Sequence, residues 1–197
     1  MPARTAILAL FVILTLAPCP AALAVEASEA PNAAPLAVGE PFPDLALSGA
    51  LSAEQAAYLG VEDAAEPVAL NDIQAEVLVL EVFSMYCPHC QHEAPATIEL
   101  YDLIAERGLD GRVKFIGLGA GNSQAEVDVF RDKYELPFPL FVDFNYEAHQ
   151  ACGAVGTPFF YVLERDGEGY AVAISRLGQM DSPASFLDEI QSATGLE

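Results

Sequence analysis

Apolar positions along this chain fall into runs of two periods. Val77–Phe83 reads Val-Leu-Val-Leu-Glu-Val-Phe, apolar but for Glu81. Its length and valine content predict a strand buried on both faces, as at the centre of a parallel sheet. A helix is expected over about residues 90–106, where Ala94, Ile98, Tyr101 and Ala105 recur at helical spacing with Ile104 beside them. Pro95 should kink it, and Gly108 and Gly111 mark its end. Residues 113–118 predict a second buried strand. Asn122 and Ser123 would then cap a helix carrying Val127, Phe130 and Tyr134. Strands are expected at 139–142 and 159–163, with a short helix at 147–152 between them. Asp166-Gly167 turns the last strand into a hairpin partner at 170–174. Ser182-Pro183 opens a final helix at 184–193. Upstream, Pro41, Pro43 and Asp44 lead an extended segment into Leu45-Ala46-Leu47. A short helix at 52–59 and an edge element at 68–73 follow. Alternating strands and helices that end in a hairpin and a helix make an α/β sandwich, in one domain without internal repeats.

The first residues follow a different logic. Arg4 precedes an apolar run over residues 6–16, too short for the roughly 20 residues that span a bilayer. Small residues then lead to Ala22-Leu23-Ala24. A basic start, a short apolar core and an A-x-A site predict a signal peptide over 1–24, cleaved to expose Val25. Lipid attachment at Cys19 is the rival, but Pro18 directly before that cysteine suits it poorly. The Ala-, Pro- and acid-rich residues 25–37 predict a flexible leader, and the folded domain is expected over 38–197. The destination is the periplasm or another exported compartment, where disulfides persist.

Composition narrows the partners. Lys and Arg number 8 against 29 Asp and Glu, a net charge of -21, which argues against nucleic acid and anionic membrane surfaces. The charge is read first as a source of solubility. With 53% hydrophobic residues the chain can bury a sizeable core.

Without Cys19, three cysteines remain: Cys87, Cys90 and Cys152. Two of them form Cys87-Pro88-His89-Cys90, directly after the buried strand and at the start of a helix. There the first sulfur meets unpaired backbone N–H groups and the positive end of the helix dipole. Both favour thiolate, so Cys87 becomes the nucleophile. Cys90 lies within disulfide reach, deeper and less exposed, and resolves the mixed disulfide. Pro88 fixes φ where its missing N–H costs nothing. His89, when protonated, would add positive charge beside the thiolate. The rival is a zinc site, which needs four ligands, and no second C-x-x-C is present.

Leu80 through Cys90 resembles the active site of the thioredoxin superfamily, and Cys-Pro-His-Cys is similar to the centre of DsbA-type disulfide oxidases. The continuation Cys90-Gln91-His92-Glu93-Ala94-Pro95 resembles the C-x-x-E-x-P of TlpA/ResA-like periplasmic thioredoxins. Residues 38–44 are similar to the first strand of TlpA-like and peroxiredoxin domains. The resemblance covers about residues 38–195. It implies a thioredoxin-like three-layer sandwich, with a central mixed β-sheet flanked by helices and an N-terminal strand extension. Tyr86 departs from the family, where Trp usually precedes the first cysteine. Residues 48–66 look longer than the family's usual link and stay unassigned.

The resemblance also implies supporting roles. Glu81 matches a buried acid that exchanges the proton of Cys90, a role that desolvation would suit by raising its pKa. Glu93 matches an acid that tunes the thiol pair. Thr157-Pro158 resembles the cis-proline loop, which presents the Thr157 backbone to an extended substrate. Cys152 is read as a small buried hydrophobe, and His92 and His149 as helix-surface residues. No cofactor is expected beyond a redox-active Cys87–Cys90 disulfide. The expected partners are protein thiols or disulfides and a membrane or periplasmic electron donor, with the oligomeric state open. The implied activity is thiol-disulfide exchange, leaning towards reduction because two acids disfavour negative charge on sulfur. Three alternatives stay open. They are a DsbA-type oxidase, a peroxiredoxin-like antioxidant peroxidase echoed by Ser84-Met85-Tyr86-Cys87, and a metal or haem-thiol carrier with Met85 or Met180.

Overall fold

The four longest strands occupy the centre of the sheet. The structure, a computed structural model, describes residues 34–61 and 66–197. Its strands are β1 (Pro41–Phe42), β2 (Ala46–Leu47), β3 (Val68–Ala69), β4 (Val77–Phe83), β5 (Val113–Ala120), β6 (Leu140–Asp143), β7 (Phe159–Asp166) and β8 (Gly169–Leu177). Its helices are α1 (Ala53–Leu59), α2 (Pro88–Glu106), α3 (Gln124–Tyr134), α4 (Glu147–Ala151) and α5 (Pro183–Thr194). Six strands form one sheet in the order β1-β8-β7-β4-β5-β6, and β2 pairs with β3 alone. β4 runs parallel to β5 but antiparallel to β7, so the buried strand lies at the centre of a mixed sheet, as the resemblance implied.

Every residue of β4 is buried, and alternation divides its side chains between two cores. Val77, Val79 and Phe83 join Leu100 of α2, Phe130 of α3 and Ile190 of α5 on one face. Leu78, Leu80 and Val82 join Phe42, Leu59, Ile116 and Tyr161 on the other. Helices and short N-terminal elements thus cover both faces, giving three layers. Glu81 falls on the alternation of Val79 and Phe83, so its carboxyl enters the face occupied by α2.

Several expected boundaries move. α2 begins at Pro88 rather than Cys90, because Cys87 adopts extended dihedrals and serves as N-cap. It continues through Pro95. Its buried face is Cys90, Glu93, Ala94, Thr97, Leu100 and Ile104, whereas Ala105 is exposed and Ile98 and Tyr101 are half-buried. The helix is rotated relative to its apolar spacing because the buried stripe includes the polar Glu93 and Thr97. The edge element expected at 68–73 is a two-residue strand followed by a 3-10 turn at Leu70–Asp72.

The unassigned stretch carries α1, whose Ser52 and Gln55 form a reciprocal capping box. Tyr58 of α1 reaches β5, where its hydroxyl accepts the Phe115 N–H at 2.7 Å. β6 does not pair with β5 until Gly117, so Tyr58 satisfies a donor the shorter strand leaves open.

The last residues of the expected flexible leader are held on the domain. Leu36 N–H donates to the Tyr161 hydroxyl at 3.0 Å, and Ala37 N–H donates to Glu40. Leu36 and Ala37, ahead of the expected boundary at Val38, therefore make hydrogen bonds to the domain. The expected signal peptide, residues 25–33 and Cys19 lie outside the described residues. No helix among the described residues is long and apolar enough to cross a membrane.

Candidate active site

The chain leaves β4 at Phe83, turns through Ser84-Met85-Tyr86 and enters α2 at Cys87. The turn is closed by Cys87 N–H donating to the Ser84 carbonyl at 3.0 Å. Pro88 follows in the first helical turn, where no intrahelical acceptor is lost. Cys87 is half-buried and Cys90 fully buried, so a partner molecule meets Cys87 first. Both sulfurs are free thiols, as is Cys152.

The two thiols are pushed in opposite directions. Burial raises the Cys87 pKa, but hydrogen bonds outweigh it and the net shift is downward. Those bonds come from the Thr157 side chain, the backbone and thiol of Cys90, and the backbone N–H of His89. Cys90 is pushed far up, first by burial and then by the Glu81 charge. The C-x-x-C spacing thus yields one activated thiol and one silent one.

His89 meets the sulfur through its backbone N–H, and its ring is exposed on the first turn. Thr157 approaches from the loop before β7, its carbonyl 3.3 Å from Cys87 Sγ. The Thr157–Pro158 peptide bond is cis. Gly178 N–H donates to the Pro158 carbonyl at 2.9 Å, tying this loop to the end of β8. Leu177 beside it is exposed, as is Tyr86 on the other flank of Cys87.

Glu81 lies 3% exposed between Gly117 and Phe160 on the neighbouring strands. Burial, then the charges of Glu93 and Cys87, push its carboxyl up to about 8. Glu93 is also buried, and its Oε1 accepts the Met180 N–H at 2.9 Å. It lines an open cleft of about 660 Å³ between α2 and the β8–α5 loop, together with His92, Glu99 and Gln179. His92 stays on the surface, within 2.7 Å of Gln179. His149 is half-buried rather than a plain surface residue, because its Nε2 meets the Val155 carbonyl at 2.7 Å. Cys152 is fully enclosed, and burial pushes its thiol up to about 12.

Cys87, Cys90, Glu81, Glu93, Pro88, His89, Thr157 and Pro158 are therefore gathered at one end of the sheet, while Cys152 belongs to the core of the opposite face. The site also includes Ser84, Gln91 and Asn122, which sequence reasoning passed over. Chemically, the arrangement offers an exposed nucleophile, a buried second thiol and a carboxyl able to exchange protons near neutral pH.

The profile of the AhpC/TSA family matches residues 38–172. The thiol-disulfide oxidoreductase ResA of Halalkalibacterium halodurans is 30% identical over 128 residues, covering 64% of this chain and 69% of that protein. The ResA of Bacillus thuringiensis subsp. konkukian is 28% identical over 101 residues, covering 51% of this chain and 56% of that one. Among solved structures, a thioredoxin-family thiol:disulfide interchange protein from Chlorobium tepidum superposes with a TM-score of 0.56 at 21% identity. That match covers 81% of this chain and 100% of the other. The likeness makes the fold thioredoxin-like: a mixed central sheet flanked by helices.

Proposed function

The chain belongs to the AhpC/TSA family, and from that premise we propose that it is a thiol-disulfide oxidoreductase working through Cys87 and Cys90. One observation carries the reading. A half-exposed thiol at the N-cap of α2 is held below its ordinary pKa, directly against a buried thiol held above it. Two cysteines with packing roles alone would not be split in this way.

In the reductive direction, the Cys87 thiolate attacks one sulfur of a substrate disulfide. The substrate S–S bond breaks, a mixed disulfide forms and the first substrate thiolate leaves. Cys90 then loses its proton to the Glu81 carboxylate and attacks Cys87 Sγ. The mixed disulfide breaks, the second substrate thiolate leaves, and Cys87–Cys90 becomes a disulfide. Two electrons pass from the protein dithiol to the substrate, and a membrane or periplasmic thiol donor restores the pair. Thr157, at the cis-proline loop, lies against the attacking sulfur and offers its backbone to an extended substrate segment.

The direction proposed is reduction of protein disulfides in an exported compartment, reached through cleavage of residues 1–24. Glu81 and Glu93 support it, because buried acids near sulfur disfavour the thiolate and so the reduced form. The Pro88-His89 dipeptide pulls towards a DsbA-type oxidase. A reduction potential near about -270 mV fits a reductase, whereas one near about -120 mV overturns that direction. The activity itself is tested with the chain starting at Val25. Cys87-dependent reduction of insulin disulfides is expected. Peroxide turnover or copper retention without disulfide exchange would instead favour the peroxidase or carrier alternative.

A further inference from the structure

The turn that carries Cys87 is gripped from two other elements. Met85 N–H donates to Asn122 Oδ1 at 2.9 Å, and Gln91 Nε2 donates to the Met85 carbonyl at 2.8 Å. One side chain comes from the β5–α3 corner and the other from α2, so both polar groups of this residue are held. Asn122 is fully buried. A buried amide is costly unless its polar atoms find partners, and its Nδ2 lies 3.5 Å from Ser84 Oγ in the same turn.

The corner is shaped to deliver it there. Gly121 sits in the left-handed region at φ 67, and a Cβ at that position would collide with the Tyr146 hydroxyl. A Cβ on Gly119 would stand 3.3 Å from Asn122 Cβ and 2.9 Å from Val127. The bare Gly119 therefore leaves the space into which Asn122 tucks, and the bare Gly121 lets the corner turn beside Tyr146. A second tie runs parallel to the first: the Tyr86 hydroxyl donates to Glu126, whose other oxygen accepts Ser123 N–H at 2.7 Å.

We propose that Asn122 and Gln91 are positioning residues that clamp Met85 and thereby hold the Cys87 sulfur against the N–H groups of the α2 N-terminus and the Thr157 loop. Neither touches the sulfur. They act through the turn, whose orientation decides whether the backbone donors of His89 and Cys90 point at Sγ. The inference rests on Cys87 being the nucleophile.

The test is alkylation of the fully reduced chain as a function of pH, with the modified cysteine identified by mass mapping and a thermal melt recorded for each variant. Gln91 is half-buried on a helix surface, so Gln91→Ala is expected to fold. Asn122→Ala is the stronger perturbation. Both should melt cooperatively, and both should raise the pH midpoint of Cys87 alkylation. For Asn122→Ala the expected loss is about tenfold in rate below the midpoint, equal to about one pKa unit. Destabilisation by loss of packing alone would lower the melting temperature and leave that midpoint in place. An unchanged Cys87 midpoint in folded Gln91→Ala overturns the proposal, and so does an unchanged midpoint in folded Asn122→Ala. If Asn122→Ala does not fold, Gln91→Ala decides alone. If Cys87 in the unmodified chain titrates like an ordinary thiol, the functional reading fails instead, which the same data distinguish.

Discussion

Glu81 is the residue whose environment has the largest chemical consequence. It interrupts a strand that is otherwise apolar, and the strand's alternation sends it towards Cys90. In the unfolded chain its pKa is near 4.5, and in the folded chain about 8. Between those values the folded form keeps a proton the unfolded form has released, so stability should fall as pH rises from about 4.5 to about 8. Glu81→Gln removes that dependence. Thermal melts at about pH 6 and about pH 9 should converge for the variant and diverge for the parent, with the variant the more stable at the higher pH. The same change should slow the Cys90 step near neutral pH while leaving Cys87 alkylation there nearly unchanged, since a carboxyl pushed up to about 8 is largely protonated at that pH and puts little charge beside Cys87. Equal pH dependence in the two proteins would remove Glu81 from the interior and from the mechanism. Cys152 is the contrasting case, a thiol enclosed on the opposite face whose Sγ meets the His149 carbonyl at 3.4 Å. Cys152→Ala should leave disulfide exchange within about tenfold, roughly 1.4 kcal/mol of barrier. A larger loss with the fold intact would make it a third redox thiol.

At the scale of elements, legibility followed the range of the interactions. β4, α3 and the β7–β8 hairpin could be read because each declares itself through its own period and its own turn residues. The start of α2 lies two residues before its expected position, since its cap is a cysteine in extended geometry and not a Ser, Asp or Asn. The short helix expected at 52–59 is present as α1 (Ala53–Leu59), but its role was opaque because it is long-range. Tyr58 lies 57 positions from the Phe115 N–H it satisfies. Removing that hydroxyl should strand a strand-edge donor. Tyr58→Phe is accordingly expected to cost about 1–3 kcal/mol in denaturant unfolding, with no effect on Cys87 alkylation. Wild-type stability in that variant would mean that α1 merely rests on the sheet. Asn122 was hidden for the same reason: it contacts Met85 across 37 positions, and the local sequence advertises it only as a helix-capping neighbour.

For the whole molecule, the acidity is separable from the chemistry. Four of the eight basic residues, Arg107, Arg112, Arg131 and Arg176, sit in surface ion pairs, each worth little. Arg165 is instead half-buried, where it stacks on Tyr170 and donates to the Asn71 carbonyl. What the fold supplies is convergence. The end of β4, the N-terminus of α2, the β5–α3 corner and the loop before β7 all meet at Cys87. The fold class and both cysteines were legible because C-x-x-C after a buried strand is a local signal. The clamp and the docking of residues 34–37 were not, because both depend on partners distant in sequence. The central claim is that Cys87 attacks and Cys90 resolves. It is tested most directly by incubating Cys90→Ser with a protein disulfide and mapping the trapped adduct by mass. The account predicts a stable mixed disulfide on Cys87, absent in Cys87→Ser. An adduct on Cys152, or none at all from a folded Cys90→Ser protein, would contradict it.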